Sequence, residues 1–157
     1  MTTNDLSPKM FLKMTRVIFF ALWAGWMAFL LVVLYISDSK LYFNFDISDP
    51  FFLSTILMAC IFLPFGYLYA KMTIKKIDQN DSVKNKLPKY QSGQLMRMAS
   101  CEGIGLLSIV SLMLTSNLFF LVFLFIAAFI MIQYYPTPDK IGREINLTPN
   151  EIDMFND

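Results

Sequence analysis

Long apolar runs alternate with short polar connections along the chain. Four of the runs approach or reach the roughly 17–25 residues that a helix needs to cross a hydrocarbon core. They cover residues 17–36 ("VIFFALWAGWMAFLLVVLYI"), 51–70 ("FFLSTILMACIFLPFGYLYA"), 98–114 and 118–135 ("LFFLVFLFIAAFIMIQYY"). None alternates apolar and polar residues as the wall of a β-barrel does. The pattern predicts an all-α fold, an integral membrane bundle of four transmembrane helices in one domain, with residues 136–157 as a tail.

Local signals mark the ends of these elements. Ser7-Pro8 and Asp49-Pro50 each place a capping side chain before a proline at the first helical position. The first helix is therefore expected to begin near Pro8 as an amphipathic turn or two, well before the apolar run. Pro136 and Pro138 stop the fourth run. Thr148-Pro149-Asn150-Glu151 fits a capping box, so a short helix is expected there. The three residues "TSN" between the third and fourth runs force an antiparallel hairpin. The first connection, with "LYFNFDI", is expected along the membrane surface, and the central segment "KKIDQNDSVKNKLPKYQSGQ" reads as a polar, mobile loop. Pro64 breaks the second helix's ladder and frees the carbonyl of Cys60. Trp23 and Trp26 lie deep enough to pack between helices, whereas Tyr67 and Tyr134 suit an interfacial belt.

Composition agrees with this pattern. The chain has 157 residues, 56% hydrophobic and 16% charged, with a mean hydropathy of +0.52; soluble domains carry about 25% charged residues. A net charge of +1 hides a strong asymmetry. Of the 13 basic residues only Lys40 falls in the first connection; the others lie before the first run, between the second and third, or after the fourth. The positive-inside rule then puts both termini and the central segment in the cytoplasm. The first run exceeds a signal-peptide core and no small-residue cleavage site follows, so it reads as an uncleaved anchor. Lys9, Lys13, Arg16, Lys75 and Lys76 are placed to meet anionic lipid headgroups.

The chemistry available is sparse. The chain has no histidine, which removes the commonest general base and metal ligand. Cys60 and Cys101 are isolated in apolar runs and read as buried structural thiols, with no disulfide or metal site between them. No nucleophile elbow, phosphate loop or zinc motif occurs. The expectation is a non-enzymatic protein with no catalytic residues, cofactor or metal, and no nucleic-acid partner.

Glu102 is the exception within the spans. Ionisable groups in a membrane are costly and tend to be functional or paired. On a helical wheel Glu102 borders a side made of Cys101, Gly105, Ser108 and Ser111, small residues of the kind that face other helices. Matching depths along the four helices offers Gln133, Tyr67 and Trp23 as hydrogen-bond donors to it, while Arg97 is expected to snorkel to the headgroups. Two readings stay open. Glu102 either fixes helix packing or docks a partner span, from another membrane protein or a second copy in a homo-oligomer, or it carries a proton or cation in a small transporter. "CEGIGLLSIV" is similar to the acid-bearing helix of the rotary ATPase proteolipids, but six scattered glycines and the lack of an internal repeat do not suit their tight rings.

The last third also carries a resemblance. "KYQSGQLMRMASCEGIGLLSIVSLMLTSN" and "YYPTPDKIGREINLTPNE" resemble the loop, early-glutamate helix, tight turn and capped tail of small uncharacterised four-span inner-membrane proteins of Bacteroidetes-type bacteria. The likeness covers about residues 89–151, with Ser116 standing where glycine is commoner. It implies a multi-pass protein of the bacterial inner membrane and no particular activity.

Overall fold

A computed structural model describes residues 7–37 and 41–155; Asp38 and Lys40 of the first connection lie outside the described residues. Six helices follow one another: α1 (Pro8–Ile36), α2 (Pro50–Lys75), α3 (Val83–Thr115), α4 (Phe120–Ile132), α5 (Pro138–Ile145) and α6 (Pro149–Asp153). The first three are long and apolar enough to cross a membrane; α4 is apolar but shorter, at 13 residues. Turns extend its path at both ends, from Asn117 to Phe120 and from Ile130 to Tyr135. The tight turns flanking α4 replace about a helical turn at each end of the predicted 118–135 span.

Capping chemistry sets the helix starts. The Ser7 side chain accepts from Met10 N–H and that of Asp49 from Phe51 N–H, each followed by proline. The Thr148–Glu151 capping box is present. The turn after α3 needs a left-handed residue, and Ser116 supplies it at φ 59°; that conformation is strained for an L-residue, which explains the attraction of glycine at such a C-terminus.

The central segment is ordered, contrary to the loop expected there. α2 continues to Lys75 and α3 starts at Val83, so only a short connection remains. The 33 residues of α3 span about 50 Å, well beyond a hydrocarbon core of about 30 Å. α3 is the organising helix: the close backbone approaches between long helices run from α1, α2 and α4 to α3. Its buried row is Tyr90, Gln94, Arg97, Cys101, Ile104, Ser108 and Ser111. The spacing of four and three is helical, yet most of these residues are polar or small, so hydropathy alone does not reveal the row.

Two contacts of α3 depend on glycine. A β-carbon at Gly105 would sit 2.5 Å from the Trp26 ring of α1, and one at Gly66 of α2 would sit 2.7 Å from Ser100 Cβ. Gly66 and Ala70 form a small-xxx-small pair, a common device for close helix approach in membranes.

Both described chain ends lie at one end of the bundle, here called the base. There Phe11 and Leu12 of α1, Leu87 and Tyr90 of α3, Ile141 and Ile145 of α5, and Phe155 make a second small core. At the far end, the α1–α2 connection is stapled to the α3–α4 turn. Tyr42 N–H donates to Ser116 O and Leu118 N–H to Tyr42 O, while Asn117 exchanges two hydrogen bonds with the Asn44 backbone, at 2.8 and 3.1 Å. Asn117 Oδ1 also accepts from Phe119 N–H. Asn117→Ala should cost about 1–3 kcal/mol, the range for leaving buried backbone groups unpaired. Equilibrium unfolding in detergent measures it, and a cost below about 0.5 kcal/mol would mean that the staple does not hold the far end.

Candidate functional site

The residues singled out by sequence fall into two places, a polar layer at the base and the surroundings of Glu102. The layer begins with Tyr90, Gln94 and Arg97, one face of α3 at i, i+4 and i+7, which are 0%, 0% and 7% exposed. Arg97 does not snorkel to the surface. Its Nη1 donates to both oxygens of Glu144 on α5, at 2.8 and 3.0 Å, and its guanidinium lies 5.5 Å from the Tyr134 ring centroid. The reason is α5, a helix formed within the segment expected as a tail. Thr137 caps it before Pro138, Asn146 ends it in the left-handed region, and Ile141 and Ile145 bury one face, turning Glu144 back under the bundle.

The α4–α5 connection is tied in around this pair. Gln94 Nε2 donates to Tyr134 O, Lys140 Nζ to Gln133 O, and Arg16 Nε to Pro136 O at 3.3 Å. Burial lowers the pKa of the Lys140 ammonium from its ordinary value, partly offset by the nearby Glu144. Burial raises that of the Tyr90 phenol, with Glu144 adding to the effect, so it stays neutral at physiological pH. Tyr90 Oη, Gln94 Oε1 and Arg97 Nε have no protein partner among the described residues. A small polar cavity of about 200 Å³ adjoins the layer, lined by Lys75, Gln79, Glu144 and Asn146 among others. The cluster can lock three elements together by charge and hydrogen bonding.

Glu102 lies on α3 about 7.5 Å further along the axis than Arg97. It is half-buried, and its carboxyl makes no hydrogen bond or ion pair with a described residue. The expected donors do not reach it. Gln133 is exposed and engaged through its backbone oxygen; Tyr67 is 47% exposed, with the Lys71 ammonium over its ring. Trp23 comes nearest in level. α1 and α3 run parallel from the base, Trp26 meets Gly105, and one turn back on each helix are Trp23 and Glu102. The Trp23 indole N–H nevertheless has no acceptor among the described residues. Depth matching located this pair's level, but it carried no information on side-chain direction.

The small-residue side of α3 is turned into the bundle. Cys101, Ser108 and Ser111 are buried and Gly105 takes the Trp26 ring. Ser108 returns its hydroxyl to Ile104 O. Cys60, expected to be buried, is exposed on α2, because α2 packs chiefly on α3 and leaves most of its circumference bare. No protein-family model, curated protein or solved structure matches the chain.

Proposed function

We propose that the chain is a non-enzymatic four-pass protein of the bacterial inner membrane, with its base in the cytoplasm, and that it serves as an accessory subunit docking a partner span at Glu102. The observation that carries this reading is the carboxyl of Glu102, set in the apolar part of α3 without a partner among the described residues. A carboxyl in hydrocarbon needs a hydrogen-bonding or charged neighbour, or it must hold a proton. The small-residue side of α3 is already filled by α1, α2 and α4, so the docking edge is the Glu102 flank beside it. The basic residues gathered at the base support its cytoplasmic placement, and α4 with its flanking turns supports a fourth pass.

The test compares Glu102→Gln with Glu102→Leu in cells, reading what co-purifies in mild detergent. The amide keeps hydrogen bonding and cannot exchange protons. Docking predicts that Gln retains the partner and Leu loses it by about tenfold or more, the scale of one lost buried hydrogen bond to a charged group. Normal assembly of Glu102→Gln together with loss of a proton- or cation-dependent phenotype would replace docking by the carrier reading. Identical co-purification by all three proteins would remove Glu102 from docking.

A further inference from the structure

The helices α1 and α4 do not approach closely through their backbones. Side chains bridge the gap unevenly. Near the base, Phe19 and Phe20 meet the Tyr135 ring at 5.2 and 6.1 Å. Above them the gap opens into a cleft of about 340 Å³ with an entirely apolar wall, lined by Trp23, Trp26, Leu30, Leu124, Ala128 and Ile132 among others. Arg16 lies on the basal side of this aromatic contact, two turns before Trp23 on α1. Its Nε is held by Pro136 O and its guanidinium lies 5.6 Å from the Tyr135 ring centroid. The two terminal nitrogens make no hydrogen bond with a described residue. Lys13, exposed, lies one turn nearer the base.

We propose that this face binds one anionic phospholipid, its phosphate on Arg16 and one acyl chain in the α1–α4 cleft. The chemistry matches in order and in length. An arginine fork held at Nε still offers two N–H groups to phosphate oxygens, and phosphate is its preferred partner geometry. From Arg16 to Trp23 is two turns, about 10 Å, and from Trp23 to Leu30 another 10 Å. The exposed Phe20 ring lies between the cation and the cleft, so the path runs from charge, over an aromatic step, into an apolar slot. That is the sequence of a lipid from headgroup through glycerol to tail. A cleft of about 340 Å³ has room for a stretch of hydrocarbon chain and not for a further helix about 10 Å across. The broad expectation of headgroup contact along the basic residues thereby contracts to one site centred on Arg16.

The inference rests on the membrane-spanning reading, and one experiment separates the two. The only two tryptophans of the chain both line the cleft. The full-length protein is reconstituted in phosphatidylcholine bilayers doped with lipid brominated on the acyl chain, carried either by phosphatidylglycerol or by phosphatidylcholine. Brominated phosphatidylglycerol should quench tryptophan emission as though enriched about fivefold at the site, the effect of one basic residue on an anionic lipid. Arg16→Gln should remove the difference between the two lipids. Ala128→Phe, which fills the cleft and leaves Arg16 in place, should reduce quenching by both and also abolish the difference. Emission spectra without bromine report whether each variant keeps the wild-type tryptophan environment. Equal quenching of the wild type by both lipids would overturn the site, as would a preference that survives both substitutions. Absence of quenching by either lipid would refute the membrane embedding itself, and the site with it.

Discussion

Arg97→Ala should destabilise the protein by about 3 kcal/mol, toward the lower end of the 3–5 kcal/mol seen when one member of a buried ion pair is removed. The lower end applies because Glu144 retains 25% of its side-chain exposure while Arg97 has 7%. The loss has two sources. Glu144 would keep its charge at the base with no cation bonded to it, and the Tyr134 ring would lose the guanidinium over its face. Replacing both members, Arg97→Met with Glu144→Leu, removes the stranded charge and should cost less than half as much, since apolar replacements of buried pairs are often close to neutral. Equilibrium unfolding in mixed micelles, followed by the emission of Trp23 and Trp26, gives both values. A double variant as unstable as the single one would show that packing of the arginine stem, and not the ion pair, holds α5 to α3.

Gly66→Leu should be the second large effect, about 3 kcal/mol at the upper end of overpacking costs. A β-carbon alone would lie 2.7 Å from Ser100 Cβ and 3.2 Å from the Met96 carbonyl oxygen. A seryl hydroxyl can rotate away; a helix backbone cannot. Gly66→Ala should therefore cost about 1 kcal/mol net, because alanine returns about 1 kcal/mol of helix propensity. The protein supplies its own control. Nothing lies within 4 Å of a β-carbon placed at Gly25 or Gly103, so alanine at either should be neutral or mildly stabilising. If all three alanine variants behave alike, close approach of α2 to α3 is not what fixes their packing.

These positions show where the sequence is readable. Helix starts were legible because proline and a capping side chain act locally: Ser7, Asp49 and Thr148 all mark ends as expected. The apolar helices were legible from run length. The basal third of α3 was hidden, since Lys84, Lys86 and Lys89 give residues 83–97 the look of a solvated loop while Val83, Leu87, Tyr90, Gln94 and Arg97 bury one face. Arg97 was misplaced for a related reason. Its carboxylate lies 47 residues away on α5, and no local rule connects them. A direct clue was present in "PDKIGREI", a threonine-capped segment with isoleucines at i and i+4. For the Glu102 surroundings, depth could be counted along helices, but the side chains' directions depend on how α1 rotates against α3, and a wheel of one helix does not contain that.

The central place of α3 has a consequence for biogenesis. α1 and α2 have little to say to each other; each makes its main helix contact with a segment that leaves the ribosome later. On insertion they would wait apart in lipid, with the exposed flanks of Trp26 and Gly66 unoccupied. α3 arrives as the template on which both are sorted, and α5 then closes the base through Glu144. Assembly of this chain would then be a late event, committed by its third helix and sealed by its fifth. Truncation after α2 should leave two inserted but unassociated helices.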